Sequence, residues 1–584
     1  MLEIEKILEE KLQNTVVTKY SFSKKIIFNF IKKILYTKRL NQFLNTNKNK
    51  YGIEIIDELF EMLNFTYKVS NKDIKKIPAE GRLIVIANHP IGSLDGLALL
   101  KLIYEIRKDV KIIVNDILYS IDNLKEYFIP VNVFGRQIKR DSIDEIGNQL
   151  ESEGALIIFP AGEVSRLKWF TVTDKKWNSG AVSFAKKYKS PILPIYIDAK
   201  NTWYFYIISS INKMFSTFLL IHEMFNKKDK TINILIGDPI PAKSFTENLI
   251  TVFYQTKLLR KHLYNLRKPN KNIFVTEKNI IHPIDRKLIK KEINKSNILG
   301  TTDDNKKIIL TNKKDSPNTL NEIARLRELT FRKVGEGTGK RYDLDFYDEH
   351  YYHLIVWDES ELEIVGAYRL GFGNEIMHKQ GIGGFYTNSL FNFSPDFTNK
   401  ILPSAIELGR SFVQKKYWNT NVLFYLWQGI GAFLATNPQV KYLFGGVSIS
   451  NSYPLEVRQM IVYVYRKWFG EKEDVVESKN RFVIPESELI KYNTIFTGNS
   501  FKDEYKILKQ MLKPYNLTVP VLYKHYAELC EQEGVKFLDF GVDREFEECI
   551  DGFIVIDVDK IKPEKKEKYI NYFLKGNNKL SLLG

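Results

Sequence analysis

Residues 83–96 read Leu83-Ile84-Val85-Ile86-Ala87-Asn88-His89-Pro90-Ile91-Gly92-Ser93-Leu94-Asp95-Gly96. The apolar run Leu83–Ala87 is short and unbroken, the pattern of a strand buried on both faces. The run from Leu97 to Ile106 that follows reads as a helix. A histidine thus stands where a buried strand runs out, and an aspartate where a helix begins. Brought together, such a pair deprotonates a hydroxyl: the imidazole takes the proton while the carboxylate holds the ring in the right tautomer. Taken alone, the same two residues also fit a strand-end histidine and an N-cap aspartate.

Ala155-Leu156-Ile157-Ile158 is a second buried-strand run, ending in Phe159-Pro160-Ala161-Gly162-Glu163-Val164-Ser165-Arg166. Trp177-Asn178-Ser179-Gly180-Ala181 opens a helix, which leads to a third run, Pro191-Ile192-Leu193-Pro194-Ile195-Tyr196-Ile197. The order Asn-His with a downstream Asp, then Phe-Pro-x-Gly, then a Pro-containing strand resembles the glycerolipid acyltransferases, over roughly residues 50–245. The resemblance implies an α/β domain that moves acyl chains onto lysophospholipid hydroxyls, with His89 and Asp95 as its catalytic pair. Two departures stand out. The family has four residues between His and Asp where five stand here, and its Phe-Pro-Glu-Gly-Thr is here Phe159-Pro160-Ala161-Gly162-Glu163. Relatives carry arginine among their acceptor-binding residues, so Arg136, Arg140 and Arg166 are candidates for an anionic head group. Gly162 and Glu163 complete the expected substrate-binding set, with Gly162 or a nearby backbone amide facing the oxyanion.

A new pattern begins near Leu320. Arg325–Arg332 reads as a helix, His353–Trp357 and Ile364–Leu370 as a hairpin of strands, and Ala405–Val413 as another strand. Arg327, Asp343, Asp345, Asp348, Arg369, Glu407 and Arg410 run through it in an order that resembles the GNAT superfamily. Within it, the segment resembles the amino-acid N-acyltransferases of ornithine-lipid synthesis and is similar to the acyl-homoserine-lactone synthases, over roughly residues 318–560. Buried charges of this kind must pair. The resemblance implies that Glu407 accepts or relays a proton from the substrate amine. Asp345 and Asp348 would bind its positive charge, and Arg369 and Arg410 would order the cluster. General GNAT enzymes place glycines after the corresponding strand, where backbone amides reach the cofactor phosphates. Here the segment is Gln414-Lys415-Lys416-Tyr417-Trp418-Asn419, without a glycine. That favours acyl carrier protein over coenzyme A as the acyl donor, and no permanently bound cofactor is expected.

The 584 residues predict more than one core. The fold class expected is α/β: a glycerolipid-acyltransferase α/β domain over 50–254 and a GNAT-like α+β domain over 318–584. A basic helical extension over 1–49 and a linker over 255–317 complete the division. In the extension, Ile27, Phe30, Ile31, Ile34 and Leu35 form one stripe among lysines, a helix suited to a membrane interface or to packing on the domain behind it. Trp203–Leu220 is too interrupted for a membrane span and reads as a lipid-facing flap or a core helix. The net charge of +17 predicts an anionic partner, a membrane surface or acyl carrier protein, and no nucleic-acid motif is present. Two cysteines and no apolar leader predict a reducing, cytoplasmic location on the inner face of the membrane. His350 and His353 fall on opposite faces of a strand, and no metal site is expected.

The function these readings imply is a bifunctional synthase of an amino-acid lipid of the ornithine type. The C-terminal domain N-acylates the amino acid with a 3-hydroxyacyl chain, and the N-terminal domain O-acylates the 3-hydroxyl. The alternatives are a lysophospholipid acyltransferase with an accessory GNAT domain, and a non-catalytic scaffold that binds membrane or carrier protein.

Overall fold

A computed structural model describes residues 36–572, apart from 116–118, 120, 132–139, 169–170, 212, 248, 269–270, 419, 472–474, 545 and 547. The basic stripe Ile27–Leu35 and Arg136 lie outside the described residues. The chain divides into two compact units, Met1–His282 and Pro283–Gly584.

The strands of the first unit are β1 (Thr66–Lys68), β2 (Leu83–Ala87), β3 (Val110–Val114), β4 (Phe128–Pro130), β5 (Ala155–Ile158), β6 (Arg166–Lys168), β7 (Thr171–Thr173), β8 (Ile192–Asp198) and β9 (Thr231–Ile236). Seven of them form one sheet in the order β1-β9-β8-β2-β5-β3-β4, and β6 and β7 form a separate hairpin. All neighbours in the sheet are parallel except β8 and β9. Side chains alternate across a strand, and β2 shows why it is apolar throughout. Leu83, Val85 and Ala87 face one core with the helix Ser93–Ile106, while Ile84 and Ile86 face another with the helices Arg140–Glu151, Gly180–Tyr188 and Val252–Asn265. Because β2 and β5 are parallel neighbours, the loops after Ala87 and Ile158 leave the same edge of the sheet side by side, where open α/β sheets place their ligands.

The second unit contains β10 (Asn297–Thr301), β11 (Lys307–Asn312), β12 (Tyr352–Asp358), β13 (Glu363–Phe372), β14 (Phe391–Phe393), β15 (Ala405–Val413), β16 (Tyr442–Ile449), β17 (Val476–Ser478), β18 (Val535–Asp543) and β19 (Cys549–Asp557). Its main sheet runs β10-β11-β12-β13-β15-β16-β19-β18. The pair β15–β16 is parallel and registers only Ala405–Glu407 against Tyr442–Phe444; the other pairs are antiparallel. The pairing of β13 with β15 slips between Ala367 and Arg369, and Arg410 has φ 49°. β15 therefore carries a bulge, which re-aims a side chain at the sheet's centre. The hairpin and the strand expected from sequence correspond to β12–β13 and β15.

The stretch 255–317 differs from the expected linker. Its first part belongs to the helix Val252–Asn265, whose Leu259 and Leu263 are fully buried in the first unit. Its last part supplies β10 and β11 to the second unit's sheet. The change-over takes a single residue. His282 bonds the Ile77 carbonyl of the first unit through Nε2, whereas the Ile284 amide donates to Glu322 of the second. The hairpin escaped notice because β10 exposes most of its residues and has no clear period.

Candidate active sites

In the first unit, Asn88 closes β2 onto β8: its side chain donates to the Ile197 carbonyl and accepts from the Ile197 amide, at 2.9 and 2.8 Å. His89 follows, its ring against Phe159 with 4.2 Å between centroids. Gly92, at φ 93°, turns the loop so that Asp95 enters the helix Ser93–Ile106 in its first turn. Asp95 is fully buried, and its Oδ2 accepts the amides of Ile91 and Gly92 at 2.9 and 3.3 Å. Its Oδ1 is 2.9 Å from His89 Nδ1. The five-residue spacing therefore still closes the pair, because the two amides fold the extra residue into the turn. With Nδ1 facing the carboxylate, Nε2 is the nitrogen left for an acceptor hydroxyl. Burial pulls the His89 pKa down, but the bonded Asp95 and the charge of Asp174 outweigh it and raise it above the ordinary 6.5.

Asp174 is the residue that sequence reasoning missed. It is buried, it accepts from the Ser165 hydroxyl, and it accepts from Trp177 Nε1 at 2.9 Å and from the His89 amide at 3.3 Å. Burial raises its pKa, opposed by the hydrogen bonds from Ser165 and Trp177. The Ser165 amide in turn donates to the His89 carbonyl at 2.7 Å. Phe159–Gly162 is a turn: the Gly162 amide donates to the Phe159 carbonyl at 3.0 Å, with Gly162 at φ 65°. That amide is thus engaged within the turn and is not free to face an oxyanion. Glu163 is shared between Arg166 Nη2 at 3.4 Å and Lys175 at 3.2 Å, while Arg166 Nη1 donates to the Ser209 carbonyl. Arg140 stands exposed at the start of its helix.

In the second unit, the register sets His353 opposite Arg369 and Arg369 opposite Gly409, so β12, β13 and β15 deliver their polar side chains to one place. Arg327, on the helix Pro317–Val334, donates to Asp348 at 2.9 Å and lies 3.1 Å from His353 Nδ1. Arg369 bonds Asp345 at 2.7 Å and lies 3.5 Å from Asp348. Arg410 reaches Asp343 and Asp345 at 3.5 and 3.7 Å. All six charges expected around Glu407 therefore meet in one ion-pair network. Burial pushes Asp348 up, but Arg327 and Arg369 outweigh it and hold it well below the usual carboxylate range. Burial and then the Arg327 charge bring His353 down to about 3, so it is a neutral ring. Among the described residues no group of His, Cys, Asp and Glu is placed to hold a metal.

Glu407 is buried, and both its oxygens are hydrogen-bonded. Oε1 accepts the Thr387 amide at 2.7 Å, and Oε2 accepts the Tyr386 amide at 3.2 Å and the Tyr351 hydroxyl. Burial raises its pKa, the direction a proton acceptor needs. The same bonds fix the loop that carries Tyr386, whose ring lies 4.9 Å from the Arg410 guanidinium. Beside Arg410 stand two further acids without a sequence signal. Glu336 is pushed up to about 7 by burial and by the Asp551 charge. Asp551 is pushed up to about 6 by burial. Both are poised to exchange protons near neutrality.

Residues 12–271 match the protein family described as Acyltransferase, and residues 326–428 the one described as Acetyltransferase (GNAT) domain. The chain is 34% identical to the glycine N(alpha)-acyltransferase of Bacteroides thetaiotaomicron over 310 residues, 51% of this chain and 91% of that protein. It is 29% identical to the lyso-glycine lipid O-acyltransferase of the same organism over 257 residues, 42% of this chain and 91% of that protein. It is 30% identical to the L-ornithine N(alpha)-acyltransferase of Rhizobium meliloti over 136 residues, 22% of this chain and 45% of that protein.

Proposed function

The chain belongs to the family of the glycine N-acyltransferases, to which it joins a second acyltransferase domain, and we propose on that basis that it makes a doubly acylated amino-acid lipid. The second unit forms the amide, moving a 3-hydroxyacyl chain from its thioester to the amine of the amino acid. The first unit forms the ester on that chain's 3-hydroxyl. The observation that supports the pairing is that two separate relatives, one an N-acyltransferase and one a lyso-lipid O-acyltransferase, are each matched over 91% of their own length by this one chain. Their names put glycine first as the amino acid and ornithine second.

In the ester step His89 Nε2 accepts the hydroxyl proton while the oxygen attacks the thioester carbonyl. Collapse of the tetrahedral adduct breaks the C–S bond, and the thiolate leaves with the proton returned by His89. Asp95 holds the imidazolium in between. Arg166, Glu163, Arg140 and Arg136 are the acceptor-binding set. In the amide step the Asp345–Asp348 side of the network receives the ammonium, and Glu407 accepts its proton directly or through Tyr351; the freed amine attacks the thioester carbonyl, the C–S bond breaks, and the thiol leaves with the second nitrogen proton. Acyl carrier protein is the donor we favour. After Val413 the chain stays paired along β13 for one more residue, the Gln414 amide donating to the Val365 carbonyl at 2.9 Å, and residues 414–419 contain no glycine for a pyrophosphate loop. Binding is peripheral, on an anionic membrane face; no helix among the described residues is long and apolar enough to cross a membrane.

The test is lipid extraction from cells expressing the chain, fed isotope-labelled glycine or ornithine, followed by mass spectrometry. A labelled double-acylated lipid is expected, with the single-acylated amide accumulating in His89→Ala. Normal double-acylated product in His89→Ala would remove the His-Asp pair from the mechanism.

A further inference from the structure

The β6–β7 hairpin is clamped to the catalytic histidine at both ends. Before β6 the Ser165 amide donates to the His89 carbonyl, and after β7 Asp174 accepts the His89 amide. On either side of this hairpin, large apolar side chains face outward. The helix Trp203–Ile211, joined to β6 by the bond from Arg166 to Ser209, buries Phe205 and Tyr206 yet exposes Trp203 at 74% and Ile208 at 36%. A helix apolar on both faces has two apolar environments, and the protein core supplies only one. Leu167 of β6 is itself 51% exposed. The helix Val252–Asn265 is joined to β7 by Arg260, which donates to the Thr173 hydroxyl at 2.7 Å. At its start Leu249, Phe253 and Tyr254 are exposed at 103%, 43% and 54%.

The charge around these side chains is mostly positive. Lys176 and Lys257 lie over the Phe253 ring, 4.6 and 4.7 Å from its centroid. From Trp203 to His222 the chain contains no carboxylate, and between Lys243 and Lys257 its only one is Glu247. Exposed aromatic and aliphatic side chains, with lysines over the Phe253 ring, match a bilayer interface. There the rings lie at the head-group level and the ammonium groups meet anionic lipid. Large apolar side chains exposed on both sides of one hairpin mark an interaction site, and the acceptor assigned to this unit is a lipid.

We propose that this face, the β6–β7 hairpin with its two flanking helices, seats on an anionic bilayer and brings the His89 loop to the lipid surface. The proposal rests on the reading of this unit as a lipid O-acyltransferase. It places the membrane contact on the folded domain, independently of the basic N-terminal stripe.

The test uses the full chain and mixed phosphatidylcholine–phosphatidylglycerol vesicles, with binding read by co-sedimentation. Trp203→Glu and Phe253→Glu should each weaken binding about tenfold, since each withdraws one large apolar side chain from the interface. Neither residue belongs to the catalytic machinery, so O-acylation of a detergent-dispersed monoacyl acceptor should stay at the wild-type rate. Wild-type binding should also weaken on phosphatidylcholine alone and in high salt. A double variant that melts like wild type and binds mixed vesicles as tightly would overturn the proposal. So would loss of acyl carrier protein use with unaltered vesicle binding, which would make the face a carrier-protein dock. The two readings fail separately. No ester product from the wild-type chain in detergent would sink the O-acyltransferase reading, whatever the vesicles show.

Discussion

His89 stands between two carboxylates of different legibility. Asp95 lies on the same loop and the same helix turn, so the pair could be seen in one stretch of sequence. Asp174 lies 85 positions away and meets the His89 amide only because the β6–β7 hairpin returns the chain to the edge of β2. Burial raises its pKa, and its three donors, Ser165, Trp177 and the His89 amide, oppose that rise. Glu407 shows the reverse case: its place in the motif order was legible, but its grip on the Tyr386 loop depends on bonds between distant segments. The pH dependence of ester formation follows from the two carboxylates. A general base acts when neutral, so with His89 as the proposed base its pKa, raised above 6.5, would set the ascending limb of the rate above that pH. Asp174→Asn withdraws one of the charges that raise it, and the limb should move to lower pH. A purely structural role for Asp174 would lower the rate at every pH and leave the limb in place. Asp95→Asn should cost much more, on the order of 10⁴-fold, because the ring would also lose its tautomer. Rate profiles of the three proteins on a detergent-dispersed acceptor decide between these outcomes.

Among the elements, those with an unbroken apolar run or a clear alternation were legible: β2, β5, β8, β12, β13 and β15 all fall where the sequence placed them. The helix Arg286–Ile293 lies within the stretch expected as a linker. Glu292, in its last turn, reaches the start of the helix Pro317–Val334. Its Oε1 accepts the Asn318 amide and side chain at 3.0 and 2.7 Å, and its Oε2 the Thr319 amide and hydroxyl, both at 2.7 Å. Ser316, the residue in the cap position, makes no side-chain cap bond of its own. The stretch expected to be a linker therefore caps the helix that carries Arg327, and it does so with a negative charge at the positive end of the helix dipole. No sequence signature exists for a cap supplied 26 residues upstream. Glu292→Ala should leave two first-turn amides without their acceptor and destabilise the second unit by about 1–3 kcal/mol. Denaturant unfolding measures this. A change below about 0.5 kcal/mol would be that of an ordinary surface position, and would show that water replaces the carboxylate.

At the scale of the whole molecule, two compact units and one short junction define the design. The first unit encloses its sheet between two apolar layers, and the second builds its largest core around the helices Val422–Thr436 and Leu455–Phe469. Among the described residues, none of these clusters mixes buried residues of the two units. Residues 282–284 pass from one to the other. The two-part division was legible because two sets of motifs lay in separate halves; the sharpness of the junction was not, since it depends on where His282 and Ile284 find partners. If each unit folds on its own core, a chain cut between His282 and Pro283 and supplied as two polypeptides should still make the double-acylated lipid. The matched relatives point the same way, being separate proteins in one organism. What the cut should change is the traffic between the sites. The single-acylated amide is the product of one and the acceptor of the other, and a covalent link holds the second site at an effective concentration that free chains do not reach. The amide should therefore accumulate at the expense of the double-acylated lipid in cells carrying the two halves. Raising the amount of the first half should reverse this. Equal proportions of the two lipids in cut and intact chains would mean that the intermediate equilibrates with the bilayer before its second acylation, and that the fusion serves co-production and not transfer.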